Sequence, residues 1–278
     1  MDYVILSSIG LIMGFFGGLL GIGGSAIMIP AMVLVYNGPE NQHLFQASAM
    51  ICNFCVGASS TLAHKKAQSL YMPVLKHLVP MAMIGIVAGV AWSNSAMFSD
   101  ENSYILSRAF GVFLVYVAVD NTLRLIKSMR KTASLGPSQW DIRETPWLIR
   151  VIGLVTGLFA GLLGIGAGTM AIPFQQLFLR VPLRRAMSNS AVTIMCIAWL
   201  GAIYKNGTLS RHDVSFALFP NDSPLWISLK IAAIVAPPAI FGGILGGHMM
   251  HKLPKNIVRS VFIVILVLAA IRLLTVKS

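Results

Sequence analysis

Apolar residues run through this chain in long stretches, and polar positions come in short clusters between them. A bilayer core about 30 Å thick takes roughly 20 apolar residues per helix. By that measure the pattern predicts eight segments, at 3–36, 44–63, 74–97, 105–126, 147–179, 186–204, 226–250 and 257–276. Two are too long for one straight helix. At 1.5 Å per residue, 3–36 would extend about 50 Å, and 151–179, bounded by Arg150 and Arg180, about 44 Å. Each has a glycine cluster in its middle and a proline further on. Tilt absorbs some excess length, but glycine this dense predicts a break.

The two clusters are copies. Residues 14–30, GFFGGLLGIGGSAIMIP, align with 157–173, GLFAGLLGIGAGTMAIP, and ten of the seventeen positions are identical. Weaker echoes follow in the same order: Cys55 with Cys196, Pro80 with Pro238, Gly85/Gly89 with Gly243/Gly247, and Arg108 with Arg259 at the start of each last span. The expected architecture is an all-α integral membrane protein of about eight transmembrane segments in two four-segment repeats. The first segment of each repeat is broken at its glycine cluster. The repeats occupy 1–126 and 147–278, with a basic cytoplasmic linker at 127–146. Counting Lys and Arg between spans barely separates parallel from inverted halves. Inversion is slightly favoured because inverted repeats with discontinuous helices are a common transporter plan.

Composition agrees. Hydrophobic residues make up 56% and charged residues 11%, against about 25% charged in soluble domains. That excludes a cytosolic enzyme, a secreted disulfide scaffold and a disordered chain. The net charge of +12 would suggest nucleic acid in a soluble protein. Here the basic residues lie between apolar runs, at Lys65/Lys66, Lys127–Lys131, Arg180–Arg185 and Lys252–Arg259, which is the positive-inside signal. No nucleic-acid partner is expected. The loop 98–103, with Asp100 and Glu101, should face outside.

Bare backbone is not tolerated in lipid, so a broken helix must line protein or a water-filled cavity. A helix restarting near Ser25 or Thr169 presents unpaired N–H groups and a partial positive charge. Two such ends meeting near the midplane would make an anion site. The candidate substrate-binding residues are therefore Gly21, Gly23, Gly24 and Ser25 in the first half and Gly164, Gly166, Gly168 and Thr169 in the second, joined by Asn53 and Asn189, uncharged polar residues in the apolar span after each break. The competing reading is close helix packing through small-xxx-small patterns such as Gly14/Gly18 and Gly157/Gly161. Packing is also the expectation for Gly85/Gly89 and Gly243/Gly247.

Asp120 is the one acid inside a predicted span, with Arg124 at i+4 as an ion-pair partner. A proton relay needs buried carboxylates or His, and none is evident, which favours a facilitator or potential-driven exporter. Lys76 and Lys230 hold matching places in the two third spans, either snorkelling or guiding an anion. His64, His77, His248 and His251 sit at span ends, and His248-x-x-His251 is too thin for a metal site. Cys52 and Cys55 read as small hydrophobes on one helix face.

The paired glycine runs, each ending in a proline (Pro30, Pro173) and followed by a small-residue-rich span, resemble the signature of the TauE/SafE sulfite exporter family of membrane permeases. The resemblance covers essentially the whole chain. It implies transport, often export, of sulfur-containing anions such as sulfite or organosulfonates. Its glycines carry over to Gly18, Gly21, Gly23, Gly24 and Pro30, and to Gly161, Gly164, Gly166, Gly168 and Pro173. Ser25 stands where a third glycine might, and Ala167 is opposite Gly24, so the site need not be symmetric.

The expected function is thus an alternating-access transporter of small sulfur-containing anions. A permease for another small anion or a metal ion is the alternative, and a membrane-embedded enzyme or sensor is the alternative of another class. No H-E-x-x-H, paired intramembrane aspartates or activated nucleophile is present. No cofactor or metal is expected. The partners are a small anion and the lipid bilayer, a homo-oligomer being compatible with both. The expected location is a plasma membrane, of the prokaryotic inner-membrane kind.

Overall fold

The structure is a computed structural model. It describes residues 2–36, 41–66, 69–95, 103–130 and 142–250, except 165, 213 and 215, with isolated positions from 254 to 274. Among these residues it is helical throughout, without strands. The helices are α1 (Asp2–Leu20), α2 (Ser25–Tyr36), α3 (Gln42–Lys66), α4 (Met72–Ser93), α5 (Ser103–Arg130), α6 (Pro146–Leu163), α7 (Gly168–Phe178), α8 (Leu183–Thr208) and α9 (Pro224–Met249). A 3₁₀ turn at Leu209–Arg211 extends α8. Among the described residues five helices are long and apolar enough to cross a membrane: α1, α4, α6, α8 with its extension, and α9. Most of 257–276, the linker core 131–141, the acidic loop at Asp100 and Glu101, His251 and the Arg124 side chain lie outside the described residues.

Both over-long apolar runs break where the glycines stand, between α1 and α2 and between α6 and α7. The chain then reverses direction. Gly24 packs against Met13, eleven positions back on α1, and Arg143 N–H, just before α6, donates to Leu179 O, just past the end of α7. Gly21 (φ +64°), Gly23 (φ +82°) and Gly164 (φ +69°) occupy the left-handed region, which glycine enters without steric cost.

Glycine also sets the helix pairing. Gly10, Gly14 and Gly18 lay one face of α1 against Val235, Ala239 and Gly243 of α9; a β-carbon on Gly14 would stand 2.1 Å from the Ala239 carbonyl oxygen. Gly153, Gly157 and Gly161 of α6 do the same against Leu78, Ala82 and Ile86 of α4, with 2.1 Å from Gly157 to the Ala82 carbonyl oxygen. These contacts run in register, so α1 is parallel to α9 and α6 to α4. In lipid there is no hydrophobic drive between helices, and close backbone approach of this kind holds them together.

Gly85 and Gly89 pack on α6, as the sequence predicts. Their counterparts facing α1 are Gly242 and Gly246, whereas Gly243 and Gly247 also meet Ser59 and Ala63 of α3. The matching register of the third spans is therefore shifted by one residue from the Gly243/Gly247 alignment. Contacts at 47/206, 50/201 and 57/195 make α3 and α8 antiparallel. These two helices form the centre, with α9 against α3 and α4 against α8.

Lys230 forms an ion pair with Asp222 (2.5 Å) and lies over the Phe219 ring, while Lys76 is exposed. Cys52, Cys55 and Cys196 are free thiols.

Candidate functional site

The two glycine breaks touch each other. A β-carbon on Gly23 would lie 2.9 Å from the Gly166 α-carbon, and one on Gly166 would lie 2.9 Å from that of Gly23. A β-carbon on Gly168 would lie 2.3 Å from both the Gly21 carbonyl oxygen and the Ile22 α-carbon. No side chain fits between the loops. Gly21 abuts the backbone of Met187 on α8, and Gly164 abuts Gln46 on α3, so each turn rests on the central helix of the other half.

Polar groups converge at this junction. The amides of Gly24 and Ser25, at the start of α2, both donate to Asn53 Oδ1 at 3.0 Å. Asn53 Nδ2 donates to Ser25 Oγ at 2.7 Å, and the Gly166 amide donates to the same oxygen at 2.9 Å. Asn53 lies about midway along α3, and Asn53 and Ser25 are buried. Asn53 caps α2 from another helix, a task the residue preceding a helix usually performs for itself.

The second half is built differently. Thr169 Oγ1 donates to Gly166 O at 3.2 Å, within its own loop. Ile194 of α8 lies across from Asn53, with its Cδ1 3.4 Å from the position of a Gly23 β-carbon. Ser190 Oγ is 2.6 Å from that position on Gly168, and it is buried without a hydrogen-bond partner among the described residues. The sequence marks Ser190 only as one polar residue of its span. Asn189 does not reach the junction: its amide donates to Gln175 and its oxygen accepts from the Tyr71 amide.

A cavity of about 10 Å³ lies beside the second break, against Asn53, Gly166, Ala167 and Ile194. That is room for about one water molecule. The junction is uncharged, since Lys205 is the one Lys, Arg, Asp or Glu side chain buried among the described residues. It offers hydrogen bonds and helix-end dipoles to a guest. The structure also buries His64, which the sequence places at a span end, and with it His43 and His212. Among the described residues no group of three His, Cys, Asp or Glu side chains comes together.

The family model described as sulfite exporter TauE/SafE matches residues 6–273. The chain is 25% identical to the probable membrane transporter protein MamO of Magnetospirillum gryphiswaldense, over 99% of this chain and 45% of that protein. It therefore spans about half the length of that relative. Similarity to YunE of Bacillus subtilis, also named a probable membrane transporter protein, is 24% over 99% of this chain and 98% of that one. A protein of Methanocaldococcus jannaschii with the same description is 24% identical over 91% of this chain and 88% of its own. No solved structure matches. Apolar helices able to cross a membrane and a family match over nearly the whole length lead to one conclusion: this is a membrane protein, and it belongs to the TauE/SafE sulfite exporter family of transporters.

Proposed function

We propose that this protein carries small sulfur-containing anions, sulfite or an organosulfonate, across the plasma membrane by alternating access at the junction of its two glycine breaks. The observation that supports this most is the convergence of the Gly24 and Ser25 amides on one oxygen of Asn53. An oxyanion oxygen takes the same two hydrogen bonds, and the start of α2 adds its dipole. Asn53 then acts as an internal stand-in that holds the amides until an anion replaces it. The remaining cavity admits no sulfite, so this is a closed form, and binding requires the halves to part.

The halves read as two inverted repeats, 1–126 and 147–278, joined by the basic linker 127–146. Packing of α1 on α9 is matched by that of α6 on α4, and the central helices of the two halves are antiparallel. Each glycine-broken segment returns to the side it came from. This gives the odd number of crossings in the first half that inversion needs. It also gathers Lys65, Lys66, Arg143, Arg184 and Arg185 at one end of the bundle, the cytoplasmic one by the positive-inside rule.

An inside-negative potential drives anion exit with about 2.3 kcal/mol per charge per 100 mV. The test is flux of labelled sulfite and sulfoacetate in proteoliposomes with the potential clamped. Saturable flux that follows the potential is expected. Gly23→Leu or Gly166→Leu should abolish it while leaving membrane insertion intact, and unchanged flux in either variant counts against the junction as the site.

A further inference from the structure

Lys205, in the last turn of α8, is fully buried. Its Nζ donates to Ser93 Oγ at 2.6 Å and Asn94 Oδ1 at 2.8 Å, and stands 2.6 Å from His43 Nδ1. The His43 ring stacks on His212, with centroids 3.8 Å apart and planes at 13°. Asn94 in turn donates to Thr208 Oγ1. Three helices, α3, α4 and α8, meet here, and among the described residues no carboxylate pairs with the ammonium. Burying a charge costs several kcal/mol, and an apolar residue of similar volume is often neutral or better for stability. Folding therefore gives little reason for a lysine at this position.

We propose that Lys205, with Ser93, Asn94 and His43, is a second anion-binding station, taking a small oxyanion such as sulfite or a sulfonate at one end of the transport route. The proposal rests on the reading that this chain carries anions. Asn53 lies ten residues along α3 from His43, about 15 Å at the helical rise, so the station is separate from the glycine junction. Asn94 is only partly buried and opens the cluster toward the surface. An anion arriving there takes the place of the Asn94 or Ser93 oxygen on the ammonium, exchanging a neutral acceptor for a charged one. The station offers a basic side chain, which the junction lacks.

The test compares the wild-type full chain with Lys205→Met and Lys205→Gln, using thermal unfolding with and without sulfite together with flux in proteoliposomes. Sulfite is expected to raise the wild-type unfolding midpoint. Both variants should keep only the part of that shift that the junction supplies, keep a midpoint no lower than wild type without sulfite, and need about tenfold more sulfite for half-maximal flux. Gly23→Leu should keep the part of the sulfite-dependent shift that the station supplies while losing flux. An unchanged shift and an unchanged half-saturating concentration in the Lys205 variants would overturn the station and leave the carrier reading standing. A variant midpoint lowered equally with and without sulfite, or failure of both variants to insert, would mark Lys205 as a structural residue and also overturn it. No flux and no shift in folded wild type would remove the carrier reading, and the station with it.

Discussion

Asn53 spends both ends of its carboxamide on the junction: the oxygen on two amides, the nitrogen on Ser25. Asn53→Asp keeps the shape and replaces the neutral acceptor with a carboxylate, which binds backbone N–H groups roughly twice as strongly. It also places a negative charge where the anion must sit. Proteoliposome flux should fall by at least about tenfold, with the protein still folded by size-exclusion chromatography. Undiminished flux would mean the anion does not use these amides. Asn53 and Ser25 were readable as candidates because a small polar residue inside an apolar span stands out. Asn189 looked equivalent by the same rule, but on α8 its side chain points to Gln175 and Tyr71, while the position facing Asn53 holds Ile194. Which face a residue occupies depends on the register between helices, and that is not visible in a single span. Lys205 and His43 were hidden for a simpler reason. Each lies one residue beyond a predicted boundary, at 204 and 44, whereas the helices run on to Thr208 and start at Gln42.

At the scale of helices, glycine separates two kinds of contact that predict opposite results. Gly14→Leu and Gly157→Leu drive a side chain into a carbonyl oxygen 2.1 Å from the first added carbon. Either should part its helix pair and lower the unfolding temperature by several degrees, at about 1–3 kcal/mol or more. Gly207, in the last turn of α8, has nothing within 4 Å of that position. Gly207→Ala should leave stability unchanged or raise it by up to about 1 kcal/mol, as a helical glycine-to-alanine exchange does. A denaturation series in detergent checks both, and equal effects at the two kinds of site would refute the packing account. The positions of all these helices followed from hydrophobic run length, and the breaks from glycine density. The reversal at each break did not, because glycine permits a left-handed turn without requiring one. The tertiary contact of Gly24 with Met13 settles the direction.

For the molecule as a whole, the helix directions put the start of α9 at one end of the bundle and the start of α6 at the other. In cells, with Cys52, Cys55 and Cys196 replaced by alanine, Ser223→Cys should react with a membrane-impermeant thiol reagent applied from outside. Arg143→Cys should react only after the membrane is opened. Both residues are exposed. Labelling of both from the same side would rule out inverted halves. Charge counting along the sequence nearly balances the two orientations, so labelling from the two sides is the measurement that separates them.

The exchange of partners between halves also bears on how such a chain is made. α1 leaves the ribosome before α9, yet the surface that receives its glycine face belongs to α9, which begins at Pro224. At roughly 5–20 residues per second the intervening stretch of about 200 residues takes on the order of 10–40 s to synthesise. For that interval the ridge of Gly10, Gly14 and Gly18 has no mate. It must be sheltered by lipid or by the insertion machinery, so nascent chains arrested before α9 should be the most readily degraded.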